Sequence, residues 1–431
     1  MAPPSQVPSA VALAQGCATA YEQQSGEVLH PDCHRSIELL ADHFAQRGQL
    51  EGIFLGRVIR AAGLAPFVRG PNLGHEALGD FLACGAIELN ISTNVDVLTE
   101  MAAESIGEPL SGVAVTRAEA VTGTQPHRPH VKLHGCFRRS IPETLWCLEQ
   151  LSRLPFDQRI HDFTQWLPNA LLGRDLVFVG FWSDWAYLNQ VLEAVVGQAM
   201  PNLVVLVNPS NHLDLRAKAA GLWDLAHREP TEFVHAQQSG ADFLDELRRG
   251  FSVRFMKRML NSSTPFFQAE FGHVPRSFPA FEGLTGPSLY QWRRDSTCTP
   301  PELVVRQKEP DSSMHRLGVM HLELHEAGAR IEEDAYLHLG KRVRLVQGAG
   351  RYLSDVQNDF THTSAVNGAD DIVICVGAQD TSPLPLDIIR DPGNVNVANR
   401  GGSGVWLTDD AARDLFATLA PDPVPPAEPA V

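Results

Sequence analysis

Between about residues 80 and 250, short apolar runs of strand length alternate with segments of helical periodicity. The run DLVFVGF (175–181) is continuously apolar after its first residue, which is typical of a strand covered on both faces. LVVLVNP (203–209) is a second run of this kind, and the segment between the two repeats apolar residues at helical spacing, namely Leu188, Val191, Leu192 and Val195. Strands separated by crossover helices favour an α/β fold with a doubly wound, parallel, Rossmann-like sheet.

Polar residues follow directly on the predicted strands. In an open parallel sheet, ligands bind beyond the carboxyl ends of the strands. Any one such residue can equally be a turn former or a helix cap. Seven of them together favour a shared crevice: Asn94, Asp96, His134, Ser183, Asp184, Asn208 and His235.

Three segments, taken in order, resemble motifs of the sirtuin (silent information regulator) superfamily. ISTNVD (91–96) resembles the family's Thr-Gln-Asn-Ile-Asp motif, and KLHG (132–135) resembles its catalytic His-Gly. VFVGFWSD (177–184) resembles the Gly-x-Ser segment that receives the adenine-side ribose. VNP (207–209) and FVHA (233–236) are similar to the ends of the family's later strands.

The resemblance implies a domain that binds NAD+ as a substrate. It makes His134 the general base on the nicotinamide ribose, Asn94 the residue that positions that ribose or the attacking water, and Asp96 its support. A histidine with a pKa of about 6.5 is largely neutral at cytosolic pH, which suits a base. The alternative is a strand-end imidazole bonded to a nearby carbonyl group. The residues that the resemblance places along the dinucleotide are Thr93, Gly135, Gly180, Ser183, Asp184, Asn208 and His235.

The chain departs from the family where sirtuin deacylases carry a four-cysteine zinc module. The interval 140–174 predicts two helical segments instead, the first capped at Ser140, and Cys136 and Cys147 are far apart. We therefore expect no zinc and no other metal site. Zinc-free bacterial relatives more often resemble hydrolases that consume NAD+, commonly in antiphage defence. The chain's seven cysteines never form C-x-x-C pairs, which indicates reduced thiols and a cytoplasmic location.

A second departure concerns the family's first strand and its Gly-Ala-Gly-x-Ser phosphate loop. Residues 7–22 resemble the proline and helix that follow this loop. We expect the strand and loop to be encoded upstream of the first residue. The alternative is that NAD+ binding has been lost.

A chain of 431 residues predicts two domains. We predict a sirtuin-like NAD-binding domain over 1–260, an irregular, Phe-rich connection over 261–310, a smaller α+β or β-rich domain over 311–420, and a disordered tail over 421–431. In the smaller domain GVMHLEL (318–324) has the composition of a strand, which makes its histidines part of a polar strand face rather than of a metal site.

The formal charge of −16 argues against direct binding of nucleic acid or of an anionic membrane, since both require clustered Lys and Arg. The function that follows is an NAD+ hydrolase releasing nicotinamide and ADP-ribose, acting as a bacterial antiphage defence effector. The C-terminal domain would bind a second copy or another protein. A non-catalytic nucleotide sensor or scaffold is the alternative, and an NAD-dependent protein deacylase fits less well without the zinc cysteines.

Overall fold

The computed structural model shows a mixed α/β protein with small parallel sheets and a separate mixed sheet in its C-terminal region. The structure describes residues 10–59, 70–106, 113–122, 129–180, 186–227, 231–297, 312–362, 372–379 and 405–419. The chain divides into two compact units. Unit 1 comprises Met1–Glu104 and Glu108–Glu246, and unit 2 comprises Ser105–Gly107 and Leu247–Val431.

Unit 1 begins with a helical layer. Its elements are α1 (Ala10–Ser25), a 3-10 turn (Pro31–His34), α2 (Ile37–Ala45), a wider helical segment of π type (Leu50–Val58) and α3 (Leu73–Cys84). The aromatic rings of Phe44, Phe54 and Trp146 pack together in its core. Their burial anchors the chain that follows the predicted catalytic histidine, since Trp146 lies in that segment.

The α/β part of unit 1 follows the predicted alternation. Its elements are β1 (Asn90–Ser92), α4 (Leu98–Ser105), β2 (Val113–Ala114), α5 (Arg117–Thr122), β3 (His130–Lys132), α6 (Phe156–Ala170), β4 (Leu176–Val179), α7 (Ala186–Ala199), β5 (Leu203–Val207), α8 (His212–Lys218), α9 (Ala220–Ala226) and β6 (Glu232–Ala236). All pairings between these strands are parallel, in two three-stranded sheets of order β1-β3-β2 and β4-β5-β6.

The two sheets share one hydrophobic core. Val131 of β3 and Val204 of β5 are fully buried in it, against Phe163 of α6. Arg174, just before β4, also forms an ion pair of 2.7 Å with Glu88, just before β1. The starts of the edge strands β1 and β4 are therefore neighbours in space.

The segment predicted to be an irregular connection, 261–310, contains two helical stretches in its described part, 261–297. Helix α10 (Gly240–Phe271) extends into it, and α11 (Gly286–Ser296) follows after a non-helical stretch. Helix α10 contains Pro265, and just before it the hydroxyl groups of Ser263 and Thr264 donate to the carbonyl groups of Met259 and Leu260. Of the phenylalanines that suggested a packed connection, Phe267 and Phe281 are buried, whereas Phe266, Phe271 and Phe278 are exposed.

Unit 2 corrects one further prediction. GVMHLEL lies inside helix α12 (Ser312–Glu326), so His321 and His325 stand on a helix and not on a strand. Residues 317–322 are all buried, and a helix buried on every side has the same continuous apolar sequence as a buried strand. Because the helix is buried on every side, its sequence lacks the helical periodicity that would have identified it.

The remaining described elements of unit 2 are five strands and two helices. They are β7 (Arg330–Glu332), β8 (Ala335–His338), β9 (Lys341–Gln347), α13 (Leu353–His362), β10 (Ile372–Val376), β11 (Val405–Thr408) and α14 (Asp409–Leu419). Their sheet has the order β11-β10-β9-β8-β7, parallel from β9 to β11 and antiparallel from β7 to β9. None of the described helices is both long and apolar enough to cross a membrane. The predicted tail, 421–431, lies outside the described residues.

A buried ion pair offers a test of the core of unit 2. The guanidinium of Arg344 on β9 donates to both carboxylate oxygens of Asp295 on α11, at 2.7 and 2.8 Å, and both side chains are 1% exposed. Arg344→Met leaves a buried carboxylate without its main partner, so we expect the free energy of unfolding to fall by about 3–5 kcal/mol. Urea unfolding followed by tryptophan fluorescence measures this. Lys257→Met, which removes one member of an exposed pair with Glu282, is the control and should change stability by less than about 1 kcal/mol. Equal effects of the two substitutions would contradict the prediction.

Candidate functional site

The site begins at the carboxyl ends of two neighbouring strands. β1 and β3 run parallel with Ser92 opposite Lys132, so the residues that follow each strand emerge side by side. Two backbone hydrogen bonds extend this pairing beyond the strands, from Leu133 N to Ser92 O at 3.0 Å and from Phe137 N to Val95 O at 2.9 Å. The structure thus brings together the segments 93–96 and 133–135, as the sequence predicted.

Gly135 is required by the backbone at the turn after β3. Its φ is +87°, in the left-handed region that favours glycine, and a Cβ placed on it would lie 2.6 Å from the carbonyl oxygen of Glu143. Leu145 N also donates to the carbonyl oxygen of His134 at 2.8 Å. The segment 143–145 is therefore packed directly on the His134–Gly135 turn.

The start of that segment differs from the predicted capped helix. Ile141–Glu143 is a single 3-10 turn, and the Ser140 side chain makes no cap hydrogen bond. Ile141 precedes Pro142, which disfavours the α conformation, and Thr144 is already extended. An extended Thr144 allows the chain to pass close to His134.

His134 is partly buried, and its environment favours the neutral imidazole. Burial lowers its pKa, and the positive charge of Arg159 on α6 lowers it further, to about 4. The ring is therefore uncharged at neutral pH, and it would accept a proton as a weaker base than an ordinary histidine.

The segment 93–96 has an exposed part and a buried part. Thr93 is half-buried and Asn94 is exposed, with the Asn94 N–H donating to the Ser92 hydroxyl at 3.0 Å. Asp96 is buried, and its Oδ1 accepts from Leu98 N at 3.1 Å, which caps helix α4. Asp96 therefore holds the loop in place.

Beneath the loop lies a buried charged cluster that the sequence did not predict. The Lys132 ammonium donates to Glu100 Oε1 at 2.6 Å and to the Asp96 carbonyl oxygen, and it lies 3.7 Å from the Cys136 sulfur. His130 Nε2 is 3.6 Å from the other oxygen of Glu100. Burial alone would raise the pKa of Glu100, but hydrogen bonding to His130 and the charge of Lys132 outweigh it and lower the pKa to about 2.

The second sheet carries the residues predicted to line the adenosine half. Gly180 has φ +60°, and no atom of the described residues lies within 4 Å of where its Cβ would stand. Asn208 Oδ1 accepts from Ser210 N at 2.9 Å, so this oxygen forms a turn. His235 stands on β6 with Nε2 buried and lacking a hydrogen-bond partner among the described residues. Ser183 and Asp184 lie outside the described residues.

Arg159 is the site residue that sequence reasoning missed. Its side chain is 3% exposed, and its Nη1 donates to Glu143 O at 2.9 Å. The sequence did carry a signal. Arg159 stands three residues after Phe156 and four before Phe163, on the apolar face of helix α6, where an arginine must be buried.

We found no set of three or more His, Cys, Asp or Glu side chains that could hold a metal ion within the ranges that the structure describes. Cys136 and Cys147 are both free thiols.

Two substitutions separate the effect on stability of the close contact at Gly135 from the effect of its positive φ. Gly173 has a similar φ of +66°, and no atom lies within 4 Å of where its Cβ would stand, so Gly173→Ala carries only the left-handed strain, about 1–2 kcal/mol. Gly135→Ala adds a clash with the Glu143 carbonyl group and should destabilise by about 1–3 kcal/mol more. Urea unfolding of the two variants checks this. Equal losses would show that the 143–145 segment does not press on the turn.

The buried carboxylate makes stability depend on pH. Glu100→Gln leaves the buried ammonium of Lys132 without its counter-charge, and we expect a loss of about 3–5 kcal/mol at pH 7. The folded-state pKa of Glu100, about 2, lies below its ordinary value of 4.5, so this contribution is full above pH 4.5 and disappears as the pH falls toward 2. The difference between wild type and variant in urea unfolding should shrink over that interval.

Glu104→Gln is the matched control on the same helix. Glu104 pairs with Arg138 at the surface, where both side chains are about half exposed, so the substitution should cost less than about 1 kcal/mol and show little pH dependence. A Glu100→Gln effect as small as this would mean that the cluster does not hold the loop.

Comparisons with known proteins assign the chain to no family. The chain matches no model of a protein family, and no curated protein matches it either.

Proposed function

We propose that the protein hydrolyses NAD+ to nicotinamide and ADP-ribose at the site around His134. The observation that carries the proposal is the parallel pairing of β1 with β3, which places the His134 turn beside the Asn94 loop at the carboxyl ends of both strands. Groups at this edge of a parallel sheet are where ligands of α/β proteins bind.

The fold part of the proposal is that the two parallel sheets of unit 1 are halves of one doubly wound, Rossmann-like sheet of the sirtuin type. Two observations support this: the hydrophobic core common to both sheets and the ion pair between Glu88 and Arg174 at the starts of β1 and β4. In such a sheet the His134 turn and the Gly180 turn open onto the same edge.

The reaction breaks the bond between C1′ of the ribose and the nicotinamide nitrogen. Nicotinamide leaves with the bonding electron pair, water adds to C1′, and one proton is released, so NAD+ and water give nicotinamide, ADP-ribose and a proton. His134 would polarise a ribose hydroxyl and so stabilise the positive charge that develops on the ring. Asn94, whose side chain is exposed, would orient the ribose or the water.

Two features of the second sheet fit the adenosine half of such a substrate. The turn at Gly180 has a φ of +60° and no side chain, so a nucleotide can approach its backbone closely. His235 lies near the carboxyl end of β6, the edge of a parallel sheet at which ligands bind.

One observation favours the second candidate, a nucleotide-binding protein without turnover. Asp96 and Asn208 both use side-chain oxygens to satisfy their own backbone, so two of the predicted site residues act in local structure. Calorimetry distinguishes the candidates, because a sensor binds NAD+ or ADP-ribose with no release of nicotinamide.

The proposal predicts how nicotinamide release responds to substitution. His134→Ala removes the base and Asn94→Ala removes the orienting amide, and each should lower kcat by at least about 100-fold. His161→Ala, which removes an exposed histidine of helix α6, is the control and should retain wild-type activity. Chromatographic measurement of nicotinamide from NAD+ checks all three. Turnover that survives both the His134 and the Asn94 substitutions would exclude this site.

A further inference from the structure

We propose that Arg159 is a positioning residue for His134, which clamps the turn that carries the imidazole and adds a positive charge to its surroundings. This inference rests on the proposed function for its catalytic meaning. Its structural content can be measured without any turnover.

The clamp is a chain of three contacts. Arg159 Nη1 donates to Glu143 O at 2.9 Å, and the same carbonyl oxygen faces Gly135 so closely that a Cβ there would lie 2.6 Å away. Two residues further on, Leu145 N donates to His134 O at 2.8 Å. Arg159 thus holds the segment 143–145 in place. That segment in turn contacts both residues of the turn, His134 and Gly135.

The burial of Arg159 needs an explanation beyond one hydrogen bond. A guanidinium that is 3% exposed has lost most of its hydration, and burial accordingly lowers its pKa. Its guanidinium carbon lies 5.3 Å from the ring centre of Phe156, and its Nε has no acceptor in the described part of the chain. A residue chosen only to fill this core position would be apolar, as Phe156 and Phe163 are.

The charge of Arg159 is poorly compensated where it faces His134. The nearest carboxylate, Glu143, is 3.8 Å from Nη2 and 55% exposed, so solvent screens it. Glu119 and Arg139 also act on Arg159 from further away, but these two form an ion pair of 2.5 Å with each other and largely cancel. On the strand side of His134, the Lys132 ammonium is neutralised by Glu100. Arg159 is thus the group whose charge acts on the imidazole, and together with burial it lowers the pKa of His134.

Two substitutions separate the clamp from the charge. Arg159→Gln removes the charge and also the clamp, because its amide nitrogen ends where the Nε of arginine stands, two bonds short of the Nη1 that donates to the Glu143 carbonyl group. Arg159→Lys keeps the charge but replaces the planar fork with a single ammonium. If Arg159 only filled space, both variants would give the same outcome.

The first experiment titrates His134 by NMR in full-length protein with isotope-labelled histidine. The signal is assigned from its absence in His134→Asn. We expect a midpoint near pH 4 in wild type, a rise of at least about half a pH unit in Arg159→Gln, and a midpoint within about 0.3 of wild type in Arg159→Lys. Arg153→Gln, which removes an exposed arginine paired with Glu149, is the control and should leave the midpoint unchanged. An unchanged midpoint in folded Arg159→Gln would overturn the charge part of the proposal.

The second experiment measures nicotinamide release against pH in the same proteins. Arg159→Gln should move the acid limb of kcat to higher pH by the shift seen in the NMR titration. Arg159→Lys should keep the limb but lower kcat by about 10-fold with little change in KM, because a loosened turn misplaces the base. If Arg159→Lys has the kcat of wild type, the proposal that Arg159 clamps the turn is wrong. This result is decisive even if Arg159→Gln does not fold.

The two proposals fail differently. A wild-type protein that releases no nicotinamide refutes the proposed hydrolase, while the NMR midpoints still confirm or refute the effect of Arg159 on His134. A wild-type protein that turns over, with identical midpoints and kcat in both Arg159 variants, refutes the positioning role and leaves the hydrolase standing.

Discussion

The geometry around His134 depends on one buried ammonium group. Lys132 stands on β3, 1% exposed, and donates both to Glu100 on α4 and to the Asp96 carbonyl oxygen in the loop after β1. It therefore ties the strand that carries the histidine to the loop that carries Asn94. An apolar residue at position 132 could fill the space, but it could not fix the position of that loop relative to the strand. Polar groups in a core are costly unless satisfied, and when satisfied they favour one arrangement over others.

Two buried cations, Lys132 and Arg159, hold segments next to the His134 turn and have different electrostatic effects. Lys132 has a carboxylate at 2.6 Å that is itself buried, so the pair is almost neutral when viewed from His134. Arg159 has its carboxylate at 3.8 Å on an exposed side chain, so most of its field remains. The strength of a buried charge at a distance depends on whether its partner is buried with it. This difference lets one cation hold the scaffold while the other acts on the imidazole.

The sequence predicted those parts of the fold that depend on local pattern. Runs such as LVVLVNP are both apolar and rich in β-branched residues, and the structure confirms a strand at Leu203–Val207. GVMHLEL failed for the opposite reason, since a helix buried on all sides loses the periodicity that would identify it. Within the site, Gly135 could be foreseen because a turn after a strand often requires a positive φ. The contacts of Lys132 and Arg159 could not be foreseen, since they join residues 32 and 16 positions apart that only the packing of helices on strands brings together.

The arrangement around Asn94 shows how a rigid frame can present a side chain. The chain is fixed before Asn94 by the Ser92 hydroxyl and after it by the Val95 carbonyl group, which Phe137 N holds at 2.9 Å. Asp96 then anchors the loop to the start of helix α4. The Asn94 amide thus projects into solvent from a backbone held on both sides, and its orientation is left for a ligand to determine. Such a side chain loses rotamer freedom on binding but requires no rearrangement of the backbone, which keeps the entropic cost of positioning it small.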